Sequence, residues 1–172
     1  MITPAYAQRM ARYNRWQNEN LYGSAGRLPA SELTRNRGAF FGSIQETLCH
    51  LVITDQLWLH RFDPAKPPPR AKSIAESATA IADWDEMKRE RQVLDATIIA
   101  WADKLDLRWL DRELEWYSMA MQRKVTNRGS DLLAHLFNHQ THHRGQVHCM
   151  LTQAGVKPDD TDLTCMDLHP LD

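Results

Sequence analysis

The 172-residue chain is long enough to bury a large core without covalent staples. Its 21 basic and 22 acidic residues leave a net charge of −1, so it lacks the basic footprint on which nucleic-acid binders depend. The same balance gives no pull toward an anionic membrane surface, and no apolar run approaches the length of a membrane span, the nearest being the broken LCHLVITDQLWL.

Cys49, Cys149 and Cys165 form no C-x-x-C pair. A zinc ribbon or a thioredoxin-type motif is thereby excluded, and a reducing compartment fits better than a disulfide framework. The polar, arginine-rich stretch MITPAYAQRMARYNRW carries no apolar signal-peptide core. The expectation is one domain over residues 1–172, cytoplasmic, with neither nucleic acid nor membrane as partner.

In chain order, ARYNRWQNENLY follows Pro4 and predicts a helix ending near Gly23 and Gly26. Ser43 and Glu46 of SIQE read as a capping box opening a second helix, which runs to a stop at Asp63 and Pro64. KPPPR, residues 66–70, is a stiff connection that forbids helix. Asp83 and Glu86 cap a third helix through EMKRERQVLDATIIAWADKL. The segment LRWLDRELEWYSMAMQRKVTNRG alternates without a helical stripe and reads as an irregular connection or a short hairpin. Ser130 and Asp131 then cap a fourth helix that ends at Gly155, with Pro158 beyond it. Four long helices predict an all-α four-helix bundle, with the irregular segment or short hairpin between helices three and four.

The stretch FNHQTHHRGQVH, from Phe137 to His148, holds four histidines, and His135 lies just upstream. Composition alone gives about 0.3 i,i+4 histidine pairs; the chain has two, His135 with His139 and His139 with His143. On a wheel of roughly 100° per residue with His135 at zero, Leu132, Leu133, Leu136, Val147, Met150 and Leu151 fill an arc from about 60° to about 160°. His143 falls at about 80° and His139 at about 40° on that wheel. His142, at about −20°, and His148, at about 220°, lie outside the arc. His139 and His143 are therefore the inward pair, at the spacing by which helical motifs share one metal. His135 and His142 are expected at the solvent boundary.

A catalytic zinc-like centre usually takes three protein ligands, so a third must come from another helix. His50 in ETLCHLVITDQ is the best choice, because that helix is apolar nearly all round; His60 sits at its end and His169 in the tail. Spacing alone leaves both a metal site and a hydrogen-bonded core network open. Glu46 reads as a helix cap and Asp55 as a core-edge carboxylate, either of which could orient an imidazole. Asp55 sits among Leu48, Leu51, Leu59 and Phe62 and so needs a partner. Cys49 and Cys149 read as packing residues. Tyr13, Asn14, Trp16, Trp58 and Trp84 read as core, with pocket lining as the alternative. No Gly-rich phosphate loop, G-x-S-x-G elbow or H-E-x-x-H is present, which argues against nucleotide hydrolysis, serine hydrolase chemistry and zincin proteolysis.

ARYNRWQNENLY, GAFFGSIQETLCHLVITDQLWLHRF and LFNHQTHHRGQ together resemble the DinB family, which is distinct from the error-prone DNA polymerase sharing that name. The resemblance runs from about Met10 to Gln153. Its most specific parts are NH-x-T-HHRGQ and the upstream T-L-x-H-L with D-x-x-W-L, and Arg144 and Gln146 fall within the first. It implies an up-down-down-up four-helix bundle, often dimeric, and a divalent metal held by three histidines matching His50, His139 and His143. Nickel, zinc and iron all suit an imidazole site. Some relatives are thiol-dependent transferases or isomerases that use bacillithiol, mycothiol or glutathione. The function expected on that basis is a metal-dependent enzyme acting on a small molecule. Its rival is a non-enzymatic protein that binds, stores or senses a metal or ligand.

Overall fold

The computed structural model describes residues 2–118 and 121–168. Met119 and Ala120 of the expected hairpin, and His169 of the tail, lie outside the described residues. The N-terminal helix α1 (Pro4–Ala25) starts where the Thr3 hydroxyl accepts from the Tyr6 N–H at 3.1 Å. It passes through Gly23 and stops at Gly26. A short α2 (Ala30–Leu33) follows. Helix α3 (Ile44–Phe62) opens on the expected cap: the Glu46 N–H donates to Ser43 Oγ at 3.2 Å, and that hydroxyl donates to Glu46 Oε2 at 2.7 Å.

Beyond the proline run, α4 (Ile74–Ser77) is a turn of helix that the sequence reading passed over. Helix α5 (Trp84–Ala102) is capped by Asp83 as expected, and α6 (Leu107–Asp111) is capped by Asp106. Strands β1 (Glu113–Ser118) and β2 (Arg123–Arg128) pair antiparallel, Trp116 opposite Val125. The expected hairpin is therefore present, and it corrects the all-α class: the protein is mostly helical with a small two-stranded sheet. The cause is a period of two. Leu114, Trp116 and Ser118 alternate with exposed neighbours and face inward, so this segment buries one side as a strand does.

Helix α7 (Gly129–Gln153) begins directly after β2, with Arg128 as its N-cap rather than Ser130 or Asp131. The Gly129 N–H donates to the Arg112 carbonyl at 2.9 Å. A Cβ at Gly129 would collide with the Trp109 carbonyl and lie 3.1 Å from its indole ring. Gly129→Ala is accordingly expected to destabilise the fold by about 1–3 kcal/mol, read as a lower urea midpoint at unchanged slope. A 3₁₀ turn (Leu163–Leu168) closes the described chain.

Helix α1 packs on α5 and α7, and α3 packs on the same two. The core between them includes Leu48, Val52, Ile98, Leu133, Leu136 and Leu151. Phe62, Trp101 and Trp109 form an aromatic cluster beneath α6, with ring centroids 5.0–5.2 Å apart. Asn14, Trp16 and Trp58 are buried as expected of core residues. Cys49 is buried too, whereas Cys149 is exposed and does not take the packing role expected of it. No helix among the described residues is long and apolar enough to cross a membrane.

A buried charge network crosses this core. Arg91, 2% exposed, pairs with Asp55 at 2.7 Å and with Asp95 at 2.8 Å. Asp55 also accepts from the Gln140 amide, and Asp95 accepts from Asn18 at 2.9 Å. Burial works against the Arg91 charge, but Asp95 and Asp55 outweigh it and hold the guanidinium above its ordinary pKa.

Candidate metal centre

Two helices bring three histidines together. His50 comes from α3, His139 and His143 from successive turns of α7, and their ring nitrogens lie within 4.8 Å of one another. Such a group could hold a metal ion. Ring centroids are 4.5 Å apart for His139 and His143, 4.8 Å for His50 and His143, and 5.2 Å for His50 and His139. His50 is 4% and His143 7% exposed, and His139 is half-buried. Burial first, then the neighbouring imidazoles, pull the pKa of His50 and of His139 down to about 3; burial lowers His143 as well. At neutral pH all three rings are uncharged, the form that donates a lone pair to a metal.

Hydrogen bonds fix two of the tautomers. Ser77 Oγ donates to the Ile74 carbonyl at 2.5 Å, which commits its proton. Its contact with His50 Nδ1 at 2.7 Å must therefore be accepted from the ring, so Nδ1 carries the hydrogen and Nε2 the lone pair. His143 Nδ1 likewise donates to Gln146 Oε1 at 2.8 Å, leaving its Nε2 lone pair toward the cluster. His139 is not satisfied: its Nδ1 is buried without a partner, and its Nε2 faces His50 Nε2 at 3.2 Å. If His139 carries its hydrogen on Nδ1, that donor is orphaned and two lone pairs oppose each other. If it carries the hydrogen on Nε2, Nδ1 is an orphaned acceptor. A cation between the rings removes the conflict of lone pairs. Two nitrogens bound to one tetrahedral ion at roughly 2.1 Å lie about 3.4 Å apart, close to the 3.2 Å between His50 and His139, within a trio that spans up to 4.8 Å. The donor set fits a divalent metal.

The cluster has a roof. The Phe41 ring stacks on His50 at 4.0 Å and lies 5.5 Å from His143. It is set there by a tight turn in which the Gly42 N–H donates to the Ala39 carbonyl at 2.8 Å, and Gly42 adopts φ +80°, the left-handed region that favours glycine. On the other side the His135 ring meets Trp58 at a tilt of 60°, with centroids 4.9 Å apart, and lies 5.8 Å from His139. Trp58, Trp116 and His135 line a cavity of about 600 Å³ between the hairpin and α7.

The sequence-chosen trio is thus the one that meets in space. His142 and His135 are both exposed, in keeping with their expected place at solvent or its boundary; His60 is elsewhere, donating to the Lys66 carbonyl at 2.7 Å. Glu46 serves its helix cap. Asp55 orients no imidazole: it stands five residues beyond His50, about 140° around the helix, and turns to Arg91 instead. The orienting roles fall to Ser77, which the sequence reading missed, and to Gln146. Ser73 and Glu76 carried the missed signal, for they form the S-x-x-E cap that opens α4, with the Glu76 N–H on Ser73 Oγ at 3.2 Å.

Comparison with known proteins agrees with the motif pattern. The DinB family model matches residues 1–169. The chain is also 26% identical over 160 residues to Protein DinB of Bacillus subtilis (strain 168), covering 91% of each. With the match running through all four long helices and all three clustered histidines, the chain belongs to the DinB family.

Proposed function

We propose that His50, His139 and His143 hold one divalent metal ion and that the protein is a metal-dependent enzyme acting on a small molecule, with thiol S-transfer or isomerisation as the reaction class. The observation that carries the metal reading is the unsatisfied trio, in which two rings are locked with Nε2 inward and the third lacks a partner on its buried Nδ1. Three protein ligands leave a coordination position for water or a thiolate, as catalytic centres do. A bound divalent cation of nickel, zinc or iron type supplies Lewis acidity and holds such a nucleophile ionised at neutral pH.

The chain's own residues do the rest. Ser77 and Gln146 hold the rings in register, and Phe41 shields one side from water. The cavity beside His135 has the size and aromatic lining of a small-molecule pocket. The pairing of α1 and α3 each with α5 and α7 supports the up-down-down-up four-helix bundle as the frame of a single domain over residues 1–172. A cytoplasmic homodimer is the working form in this reading.

The test of activity is thiol consumption. Untagged protein reconstituted with nickel, zinc or iron is incubated with glutathione or bacillithiol and an electrophilic aryl halide. Turnover that requires the metal and disappears in His139→Ala is expected. Stoichiometric metal without turnover across the thiols would instead favour the storage or sensing protein. Ser77→Ala is expected to weaken metal binding by about 10–100-fold while leaving the helical circular dichroism intact, read by competition with a chromophoric chelator.

A further inference from the structure

Arg144 lies beside the metal trio in sequence but turns to another part of the molecule. It is 6% exposed and lines a cavity of about 270 Å³ between α1 and α7, shared with Tyr13, Gln17, Thr141, Gly145 and His148. Its partners are all neutral. Nη1 donates to Asn14 Oδ1 and, at 3.4 Å, to Gln140 Oε1, and Nη2 donates to Thr141 Oγ1 at 3.3 Å. Among the described residues no carboxylate oxygen lies within 4.0 Å of it; Asp55 and Asp95 are both taken by Arg91. The Nε–H and the second Nη2 hydrogen have no acceptor among the described residues.

The trio of Asp55, Arg91 and Asp95 carries one net negative charge, and Gln140 joins it to Arg144. That balance, at a distance and through an amide, explains why the guanidinium can be buried. It does not occupy the donors that remain. The cavity around them is built for a ligand. His148 stands four residues from Arg144 on the same helix face and adds a second polar ring. The Tyr13 ring lies 5.6 Å from the guanidinium carbon. Between the two α7 residues, Gly145 leaves the mouth open, since a Cβ there would meet nothing within 4 Å. The far wall is the tail, strapped down by Tyr13 Oη on the Thr161 carbonyl at 2.6 Å and Gln17 Nε2 on the Asp160 carbonyl at 3.0 Å. Asp162 is exposed and makes no ion pair with Arg144.

We propose that this cavity binds a small oxyanion, a carboxylate or phosphate group, on the free edge of the Arg144 guanidinium. A planar fork of N–H donors matches such groups, and charge-assisted bonds inside a half-closed cavity are the strong ones. The volume admits inorganic phosphate or a short carboxylic acid.

The test is calorimetric titration of the full chain with inorganic phosphate and, separately, with acetate at constant ionic strength. Each is repeated in His139→Ala, so that an anion bound to a metal at the histidine centre is told apart. Saturable binding of one anion per chain is expected, retained in His139→Ala. The tighter of the two probes identifies the source of the oxyanion group. Gly145→Leu, which fills the mouth without touching the buried network, and Arg144→Lys should each weaken it by about tenfold or more. Thermal unfolding of Gly145→Leu should occur at or above the wild-type temperature, since leucine is the better helix former at this exposed position in α7. Absence of saturable binding of either probe up to roughly 50 mM, or binding that survives both substitutions, would overturn the proposal.

Discussion

Asp55→Ala is expected to cost about 3–5 kcal/mol of folding stability, because it strands a buried guanidinium rather than merely deleting a contact. Arg91 is 2% exposed and has two carboxylate partners, of which Asp55 bridges α3 to α5 and also receives the Gln140 amide from α7. Removing that carboxylate leaves one anion, Asp95, for two buried cations, Arg91 and Arg144. Asp55→Asn keeps the shape and an acceptor but not the charge, so it should fall between wild type and alanine. Urea unfolding reads both. A loss below about 1 kcal/mol for Asp55→Ala, the size of an exposed ion pair, would show that the network is solvated rather than buried.

His139→Ala is expected to lower divalent-metal affinity by more than about 100-fold, beyond the loss typical of an orienting partner. The ring places its Nε2 3.2 Å from His50 Nε2. Its removal leaves His50 and His143, on different helices, as a two-ligand site. His142→Ala is the control, because that ring is exposed and, although it meets Gln146 at 3.3 Å and the His143 ring edge-on at 4.8 Å, it is not one of the three clustered ligands. Competition with a chromophoric chelator should place His142→Ala close to wild type. The alanine at 139 should not destabilise the fold greatly, for it also removes an unsatisfied buried nitrogen.

Much of this centre was legible in the sequence because a helix converts spacing into direction. The wheel put His139 and His143 on the face of Leu132, Leu136 and Val147, and the cluster forms on that face. His50 was chosen from the apolarity of its helix, which is buried on several sides by α4, α5 and α7. What the sequence hid was tertiary. Ser77 reaches His50 from a four-residue helix that a proline-rich approach concealed. Arg91 looked like one charge among many in EMKRERQ, yet it sits in the stripe Met87, Arg91, Leu94, Ile98 and is buried with them. The strands were ambiguous because two short alternating segments gain a face to bury only when α3 and α7 are already in place.

Elemental analysis of untagged wild-type protein, as metal ions per chain, tests the three-histidine centre most directly. About one divalent ion per chain is expected, lost in His50→Ala, His139→Ala and His143→Ala and kept in His142→Ala. No metal in the wild type, and none taken up on adding nickel or zinc, would contradict it and return the trio to a hydrogen-bonded core network.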